Sequence, residues 1–240
     1  SYVGPVDAVG EPYWVLDGKK FKRTTTKYSP GLLKIFDEVL VNAIDRNSMY
    51  PKQVTSISVN VDKISGMITI DNNGPLGGLV IQKNKKEDVW NPELVFGHLL
   101  TSTNYDDTQK RLVGGRNGYG AKLANIYSKW FSVIIKDPET KQEYHQEWFD
   151  NMSTCYPPKM KKFNGATPSV SVSFKPDWSR FAMKDMENGI YNIMEKRVWD
   201  ANICTSANCK VKFNGEALPK QTFEAYAKMH YGVCLLYTSD

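Results

Sequence analysis

Residues 114–122 read Gly-Gly-Arg-Asn-Gly-Tyr-Gly-Ala-Lys, with four glycines in the first seven positions. Glycines at this density disfavour both a helix and a strand interior, because each loses a large backbone entropy when it is ordered there. The residues that follow are good helix formers, and they place Leu123, Ile126 and Tyr127 at helical spacing. The stretch therefore predicts a flexible loop that delivers bare backbone N–H groups to the N-terminus of a helix.

A loop of this kind binds anions, phosphate above all, through its unpaired donors and the positive end of the helix dipole. Arg116 and Lys122 add full positive charges. The glycine order is G-x-x-G-x-G followed by Ala-Lys-Leu, which fits neither a dinucleotide fold (G-x-G-x-x-G) nor a Walker loop (ending Gly-Lys-Ser/Thr). A phosphate loop of another type is indicated, and a plain glycine-rich surface turn is the alternative.

The composition is that of an ordinary globular protein, and 240 residues suffice for one sizeable α/β domain or two small ones. No apolar run approaches the length of a membrane span, so no membrane partner is expected. The net charge of +5 permits contact with nucleic acid without requiring it. The four cysteines lack C-x-x-C spacing, which favours free thiols in a reducing compartment over a zinc site or a disulfide framework.

A long, mostly buried helix is predicted where Ser29 can act as N-cap, Pro30 suits the first helical position and dense apolar residues follow. On this helix Glu38, Asn42 and Asp45 fall at i, i+4 and i+7, which places three polar side chains on one stripe. An enzyme can use such a carboxylate as a general base, and an Asn amide oxygen is a hard ligand for Mg²⁺. A polar edge that faces water is the alternative.

Alternating apolar residues predict an antiparallel pair of strands at 57–61 and 68–70. The second strand runs into Asp71-Asn72-Asn73-Gly74, where carboxamides and glycine make a ledge on which a flat heterocycle can lie and be read by hydrogen bonds. A plain Asn-Gly turn is the alternative. Further on, residues 101–104 supply hydroxyls and an amide, and the polar run at 105–111 is long enough to act as a movable cover.

The remaining pattern predicts strands at 130–136, 144–149, 170–174 and 211–213, with helices at 92–100 and 183–200. Hairpins and non-crossover strands with helices gathered between them favour an α+β fold, a two-layer sandwich, over a doubly wound parallel sheet. One domain is the economical interpretation.

The helix with Glu38 and Asn42, the strand end at residues 72–74 and the loop at 115–122 together resemble the GHKL ATPases. That superfamily includes the gyrase B subunit, mismatch-repair proteins, heat-shock chaperones and sensor histidine kinases. Three longer strings, residues 34–43, 99–107 and 114–122, are similar to the ATPase region of eukaryotic-type DNA topoisomerase II. The resemblance implies a sandwich of the GHKL (Bergerat) type over residues 1–232, without an N-terminal arm or transducer. Residues 233–240 follow no family pattern and are expected to be a tail.

By this resemblance Glu38 is the expected catalytic base that activates water, and Asn42 is expected to hold the Mg²⁺ that bridges the phosphates. The resemblance places the adenine base at Asn72, the ribose and phosphates at residues 102–104, and the triphosphate inside the glycine-rich loop. The expected ATP-binding residues are Asn42, Asn72, Ser102, Thr103, Asn104, Gly115, Arg116, Asn117, Gly118, Tyr119, Gly120, Ala121 and Lys122. ATP and Mg²⁺ are the expected cofactors.

The resemblance further implies that ATP binding favours closure of two protomers and so drives the passage of a DNA duplex. The expected enzyme is an ATP-hydrolysing DNA topoisomerase, which works as a homodimer on DNA. Its expected location is the nucleus if the protein is cellular, and a viral or host compartment if it is viral. Two alternatives stay open: another GHKL ATPase of mismatch-repair or chaperone type, and a catalytically silent nucleotide-binding dimerisation module.

Two departures from the family pattern lie close to this expected site. The family usually has Asn-x-Gly-x-Gly after the second strand, whereas residues 72–77 read Asn-Asn-Gly-Pro-Leu-Gly, with one apparent extra residue. Arg46 stands where the family commonly has a second Asn that contacts the nucleotide. A direct phosphate contact by Arg46 therefore stays open.

Overall fold

The structure is a computed structural model that describes residues 3–98 and 120–230. The described strands are β1 (Val9–Asp17), β2 (Lys20–Tyr28), β3 (Ser56–Val61), β4 (Ile68–Asn73), β5 (Ser128–Asp137), β6 (Gln142–Phe149), β7 (Thr154–Cys155), β8 (Lys159–Lys162), β9 (Ser169–Pro176), β10 (Lys210–Phe213) and β11 (Glu216–Ala217). The helices are α1 (Pro30–Met49), α2 (Asn91–Gly97), α3 (Gly120–Ile126), α4 (Asn188–Cys204) and α5 (Phe223–His230), with short 3₁₀ turns at Gly77–Leu79 and Trp178–Phe181.

Nine of these strands form one sheet in the order β11-β10-β3-β4-β9-β5-β6-β7, and β8 pairs with β6 at its far edge. The central pairs β3–β4, β4–β9, β9–β5 and β5–β6 are all antiparallel, whereas β10 runs parallel to β3. One face of the sheet is apolar and buried under the helices, as the zero exposure of Ile68, Val133 and Ile135 shows. The expected α+β sandwich is therefore confirmed. None of the described helices combines the length and the apolar character needed to cross a membrane.

Helix α1 is the main element of the helical layer, and its start follows the predicted capping signals. The Ser29 hydroxyl accepts a hydrogen bond from the Leu32 N–H (3.4 Å) and donates one to the Val6 carbonyl (2.7 Å). Pro30 occupies the first turn, where a missing N–H costs nothing. The Gly31 N–H donates to the Pro5 carbonyl (2.8 Å), so the preceding segment is tied to the same helix end.

The predicted strands are confirmed, with ends one to three residues longer. Two helix ends differ from the prediction. Helix α2 ends at Gly97, because His98 has an extended backbone, so the predicted continuation through residue 98 is wrong; residues 99–100 lie outside the described residues. The predicted helix start at Met183 is wrong: the chain turns at Ala182, which has a φ of +53°, and α4 begins at Asn188. Met183 and Met186 are buried in that turn region, so their helix-like spacing reflects core packing. The long β1–β2 hairpin was not predicted.

A buried carboxamide links α1 to two loops of the sheet layer. The Asn47 side chain, 2% exposed, donates to the Val54 carbonyl (2.9 Å) and the Ser206 hydroxyl (2.8 Å). Its oxygen accepts from the Ser206 N–H (2.9 Å). We expect Asn47→Ala to lower the free energy of unfolding by about 1–3 kcal/mol, because these buried partners lose their hydrogen bonds. Urea denaturation measures the change.

Ser48→Ala is the matched control, because Ser48 is the next residue of α1 and is exposed. Serine and asparagine have similar helix propensities, so replacement by alanine stabilises the helix by a similar amount at both positions. The difference between the two variants in free energy of unfolding therefore reports the buried hydrogen bonds of Asn47. Equal stabilities for the two variants would contradict the role given to Asn47.

Candidate functional site

A cavity with about 420 Å³ of space, part of it open to solvent, lies between α1, the sheet and the start of α3. Among the described residues, nine apolar side chains line it: Val39, Ala43, Ile70, Leu79, Val95, Phe96, Ala121, Val170 and Val172. Three polar residues complete the lining: Asn42, Arg46 and Asn72. Ligand sites commonly combine apolar walls with a few polar groups that fix orientation. The cavity suits a ligand that has a flat apolar part and a polar part.

Strand alternation decides which of two neighbouring asparagines reaches the cavity. Ile70 and Asn72 lie on the helix-facing side of β4, and Asn72 is 7% exposed. Asn73 belongs to the opposite face, where its side-chain oxygen accepts from the N–H groups of Thr55 (2.9 Å) and Ser56 (3.0 Å). Asn73 therefore ties β4 to the entry of β3, whereas Asn72, whose Nδ2 donates to the Asn73 carbonyl (3.1 Å), is the carboxamide beside the cavity.

Helix α1 places Glu38, Asn42 and Arg46 one turn apart on the side that faces the cavity and α3. The Glu38 carboxylate is 25% exposed and forms an ion pair with Lys34 (2.5 Å). It also packs directly against the first residue of α3, since a Cβ added at Gly120 would overlap Glu38 Oε2. Only glycine fits at position 120 without displacing the carboxylate. The predicted phosphate loop therefore ends at the predicted base.

Asp45, the third member of the predicted polar stripe, is half-buried one further turn along α1. Burial raises the pKa of this carboxyl group, and the negative charge of Glu38 raises it further. The Glu38 charge thus disfavours the ionised form of Asp45, and a cation near the two side chains would relieve that repulsion.

Lys122 is a buried cation, with only 2% of its surface exposed. Burial lowers the pKa of its ammonium from 10.5 to about 8, because desolvation disfavours the charged form. No hydrogen bond or ion pair of Lys122 occurs within residues 3–98 and 120–230. Its neighbour Ala121 lines the cavity, whereas Lys122 itself does not. A buried ammonium without an anion among these residues indicates a site that gains stability when an anionic ligand arrives.

The structure brings together part of the predicted site. Asn42, Asn72 and Ala121 line one cavity, and Gly120 contacts Glu38. Lys122 is described but does not line the cavity, and the remaining predicted ligand contacts lie outside the described residues: Ser102, Thr103, Asn104, Gly115, Arg116, Asn117, Gly118 and Tyr119. The sequence did not identify the apolar walls from β9 and α2 as part of the site. Strand alternation at Val170 and Val172 was the available signal, but it does not tell which buried residues border a cavity.

Metal-binding capacity in this part of the chain is limited. Across the described ranges, no three His, Cys, Asp or Glu side chains converge in a way that could hold a metal ion. Asn42 is the predicted metal ligand, and its amide oxygen is one hard donor. A Mg²⁺ ion at Asn42 would take most of its ligands from the bound molecule and from water, as Mg²⁺ does with nucleotide phosphates.

Comparison with known proteins identifies the architecture. No family model matches the chain. The ATPase region of topoisomerase II from Saccharomyces cerevisiae superposes with a TM-score of 0.86 at 39% identity, over 95% of this chain and 60% of that structure. Together, the fold and the cavity define an ATPase region of the α+β sandwich class.

The curated relatives give the family. The chain is 40% identical to DNA topoisomerase 2 of Saccharomyces cerevisiae over 233 residues, which is 96% of this chain and 16% of that protein. It is 41% identical to DNA topoisomerase 2-beta of Gallus gallus over 234 residues, or 96% of this chain and 14% of that protein. The chain belongs to the eukaryotic DNA topoisomerase II family and corresponds to its ATPase region. The matches give no support to a mismatch-repair or chaperone ATPase.

The buried charge of Lys122 leads to a prediction for the ligand-free protein. Because its folded pKa (about 8) lies below its unfolded value of 10.5, the unfolded chain binds more protons between these pH values. We expect Lys122→Met to raise the free energy of unfolding at pH 7 by about 1–3 kcal/mol, since an apolar side chain of similar length avoids burying an ammonium. The gain should shrink as pH rises from 8 towards 10.5.

Urea denaturation at pH 7, 9 and 10 measures this effect, and Lys85→Met, at an exposed loop lysine, is the control. If Lys122→Met is less stable than wild type at pH 7, or if its gain in stability does not depend on pH, the conclusion that burial of the Lys122 ammonium costs stability is overturned.

Proposed function

We propose that the cavity binds Mg²⁺-ATP and that the chain is the ATP-hydrolysing part of a DNA topoisomerase II. The packing of Gly120 against Glu38 carries this proposal, because it joins a phosphate-loop terminus to a carboxylate that lies one helical turn from the cavity-lining Asn42. In this assignment the adenine lies against the apolar wall beside Asn72, and the phosphates extend towards α1 and the N-terminus of α3. We assign residues 1–232 to this region and leave 233–240 outside it.

Glu38 is the proposed general base. Its ion pair with Lys34 and its contact with Gly120 hold the carboxylate on the side of α1 where the phosphates would lie. A fixed carboxylate can orient a water molecule and accept its proton as that water attacks phosphorus. The carboxylate is partly exposed, so water reaches it.

Asn42 is the proposed Mg²⁺ ligand, and Lys122 is the proposed counter-charge for the phosphates. Mg²⁺, when bound, would neutralise the charge that develops on the phosphate oxygens. Asn42 fits because it lines the cavity one turn from Glu38 and carries an amide oxygen. Lys122 fits because a buried ammonium with a lowered pKa is stabilised by an incoming anion. By the family resemblance, residues 102–104 and 115–119 would supply the remaining ATP contacts.

The activity of the longer protein is a further part of the proposal. The chain spans 14% to 16% of the curated relatives described above, which are named DNA topoisomerases. We propose that ATP binding drives closure of two protomers and that hydrolysis resets them, so that one DNA duplex passes another. The relatives are eukaryotic, which supports the nucleus as the site of action for a cellular protein; a viral protein would act in a viral or host compartment.

Glu38→Gln tests the catalytic part of the proposal, because glutamine keeps the size of the side chain and cannot accept the proton. We expect the affinity for a non-hydrolysable ATP analogue to change by less than about threefold, since the base acts mainly in the transition state. ATP turnover should fall by about 100-fold or more. Binding is measured by calorimetry on this chain, and turnover on a yeast topoisomerase 2 chimera that carries this chain in place of the matching segment.

Glu224→Gln, at an exposed acid on α5, is the control and should leave both quantities unchanged. Turnover that survives in Glu38→Gln would sink the assignment of the base. A wild-type chain that binds no nucleotide would rule out the proposed function as a whole.

A further inference from the structure

The loop that follows β4 forms one wall of the cavity and has a constrained backbone. We call residues 74–79 the post-β4 loop. Gly74 has a φ of +107°, and a Cβ at this position would lie 2.6 Å from Val54 Cγ2, so only glycine fits. Leu76 is 5% exposed, and Leu79, at the end of the 3₁₀ turn, lines the cavity. The position of this loop therefore sets the shape of the cavity.

Arg46 holds the post-β4 loop from α1. Its Nη1 donates to the Pro75 carbonyl (2.8 Å) and its Nη2 donates to the Leu76 carbonyl (3.2 Å). The guanidinium is 6% exposed, and burial lowers its pKa to about 10, so it stays charged at neutral pH. Two carbonyl dipoles directed at one buried cation make strong, charge-assisted hydrogen bonds. Lysine lacks the planar fork that serves two acceptors in this geometry.

The same helix turn connects this contact to the ligand. Asn42 and Arg46 are four residues apart on α1, and both line the cavity. Two guanidinium nitrogens of Arg46 are directed at the loop that carries Leu79. Pro75 and Leu76, whose carbonyls the guanidinium contacts, lie between Gly74 and Gly77, where the sequence has one apparent extra residue relative to the family pattern.

We propose that Arg46 is a positioning residue for the nucleotide site, which fixes the post-β4 loop so that Leu79 forms the wall against the nucleoside part of the ligand. This inference rests on the proposed ATP-binding function. It differs from a direct phosphate contact by Arg46, and the two roles have opposite consequences. Loss of a loop anchor weakens binding of the nucleoside itself, whereas loss of a phosphate contact weakens only ligands that carry phosphate.

Adenosine and a non-hydrolysable ATP analogue, titrated into wild type, Arg46→Gln and Arg46→Lys, separate the two roles. We expect Arg46→Gln to raise the Kd for both ligands by the same factor, about tenfold, because the shared nucleoside contacts are lost. The ratio of the two Kd values should stay at its wild-type value. The Kd values of Arg46→Lys should lie between those of wild type and Arg46→Gln, since lysine keeps the charge and lacks the planar fork of the guanidinium. Arg23→Gln, at an exposed arginine of β2, is the control.

A Kd that rises for the ATP analogue alone would assign Arg46 to the phosphates and overturn the inference, as would unchanged Kd values for both ligands. Hydrogen exchange of the ligand-free protein gives an independent readout. The Leu79 N–H donates to the Leu76 carbonyl (3.0 Å), and it should exchange at least about tenfold faster in Arg46→Gln while the central strands keep their protection.

Two further outcomes keep the inference distinct from the proposed function. If Arg46→Gln shows no cooperative thermal transition, the Kd values and the hydrogen exchange are measured on Arg46→Lys instead. Unaltered Kd values together with an unaltered Leu79 exchange rate in Arg46→Lys would contradict the role of Arg46 in holding the post-β4 loop. If wild type binds neither ligand, the proposed function fails, whereas hydrogen exchange still decides whether Arg46 holds the post-β4 loop.

Discussion

The contact between Gly120 and Glu38 is the constraint on which the site depends. Helix α1 lies on the apolar face of the sheet, and α3 reaches it so closely that a side chain at the first residue of α3 would overlap the Glu38 carboxylate. A larger residue there would displace either the carboxylate or the helix start. The cavity lies beside this contact, since Ala121 and Asn42 both line it. The close approach of α3 to Glu38 thus explains why residue 120 is a glycine, although its backbone conformation does not require one.

Charge in the helical layer is the second organising feature. Arg46 and Lys122 are buried cations whose pKa values are lowered by burial, and Asp45 is a half-buried acid whose pKa is raised. Arg46 is compensated in part by carbonyl oxygens of the post-β4 loop. Lys122 has no such compensation among the described residues. In the ligand-free protein this layer therefore stores unfavourable desolvation energy, which an anionic ligand can offset.

Sequence patterns predicted the parts of the structure that depend on local order. Capping residues and apolar periodicity predicted α1, and strand alternation separates Asn72, at the cavity, from Asn73, which bonds the β3 entry. Contacts between distant segments were not predictable, because no local pattern shows that Arg46 meets a carbonyl 29 residues away. The prediction of a helix start at Met183 was wrong because Met183 and Met186, buried in a turn, have the same spacing as the buried residues of a helix. Family resemblance supplied the remaining roles, which are proposals for this chain.

We propose that the cavity beside Asn42, one turn of α1 from Glu38, is a Mg²⁺-nucleotide site. Calorimetric titration of a non-hydrolysable ATP analogue into the chain, in Mg²⁺ and then in EDTA, tests it most directly, with Asn42→Ala measured in parallel. We expect binding at one site per chain that weakens in EDTA and in Asn42→Ala. An absence of binding in Mg²⁺, or binding that neither EDTA nor Asn42→Ala changes, would contradict it.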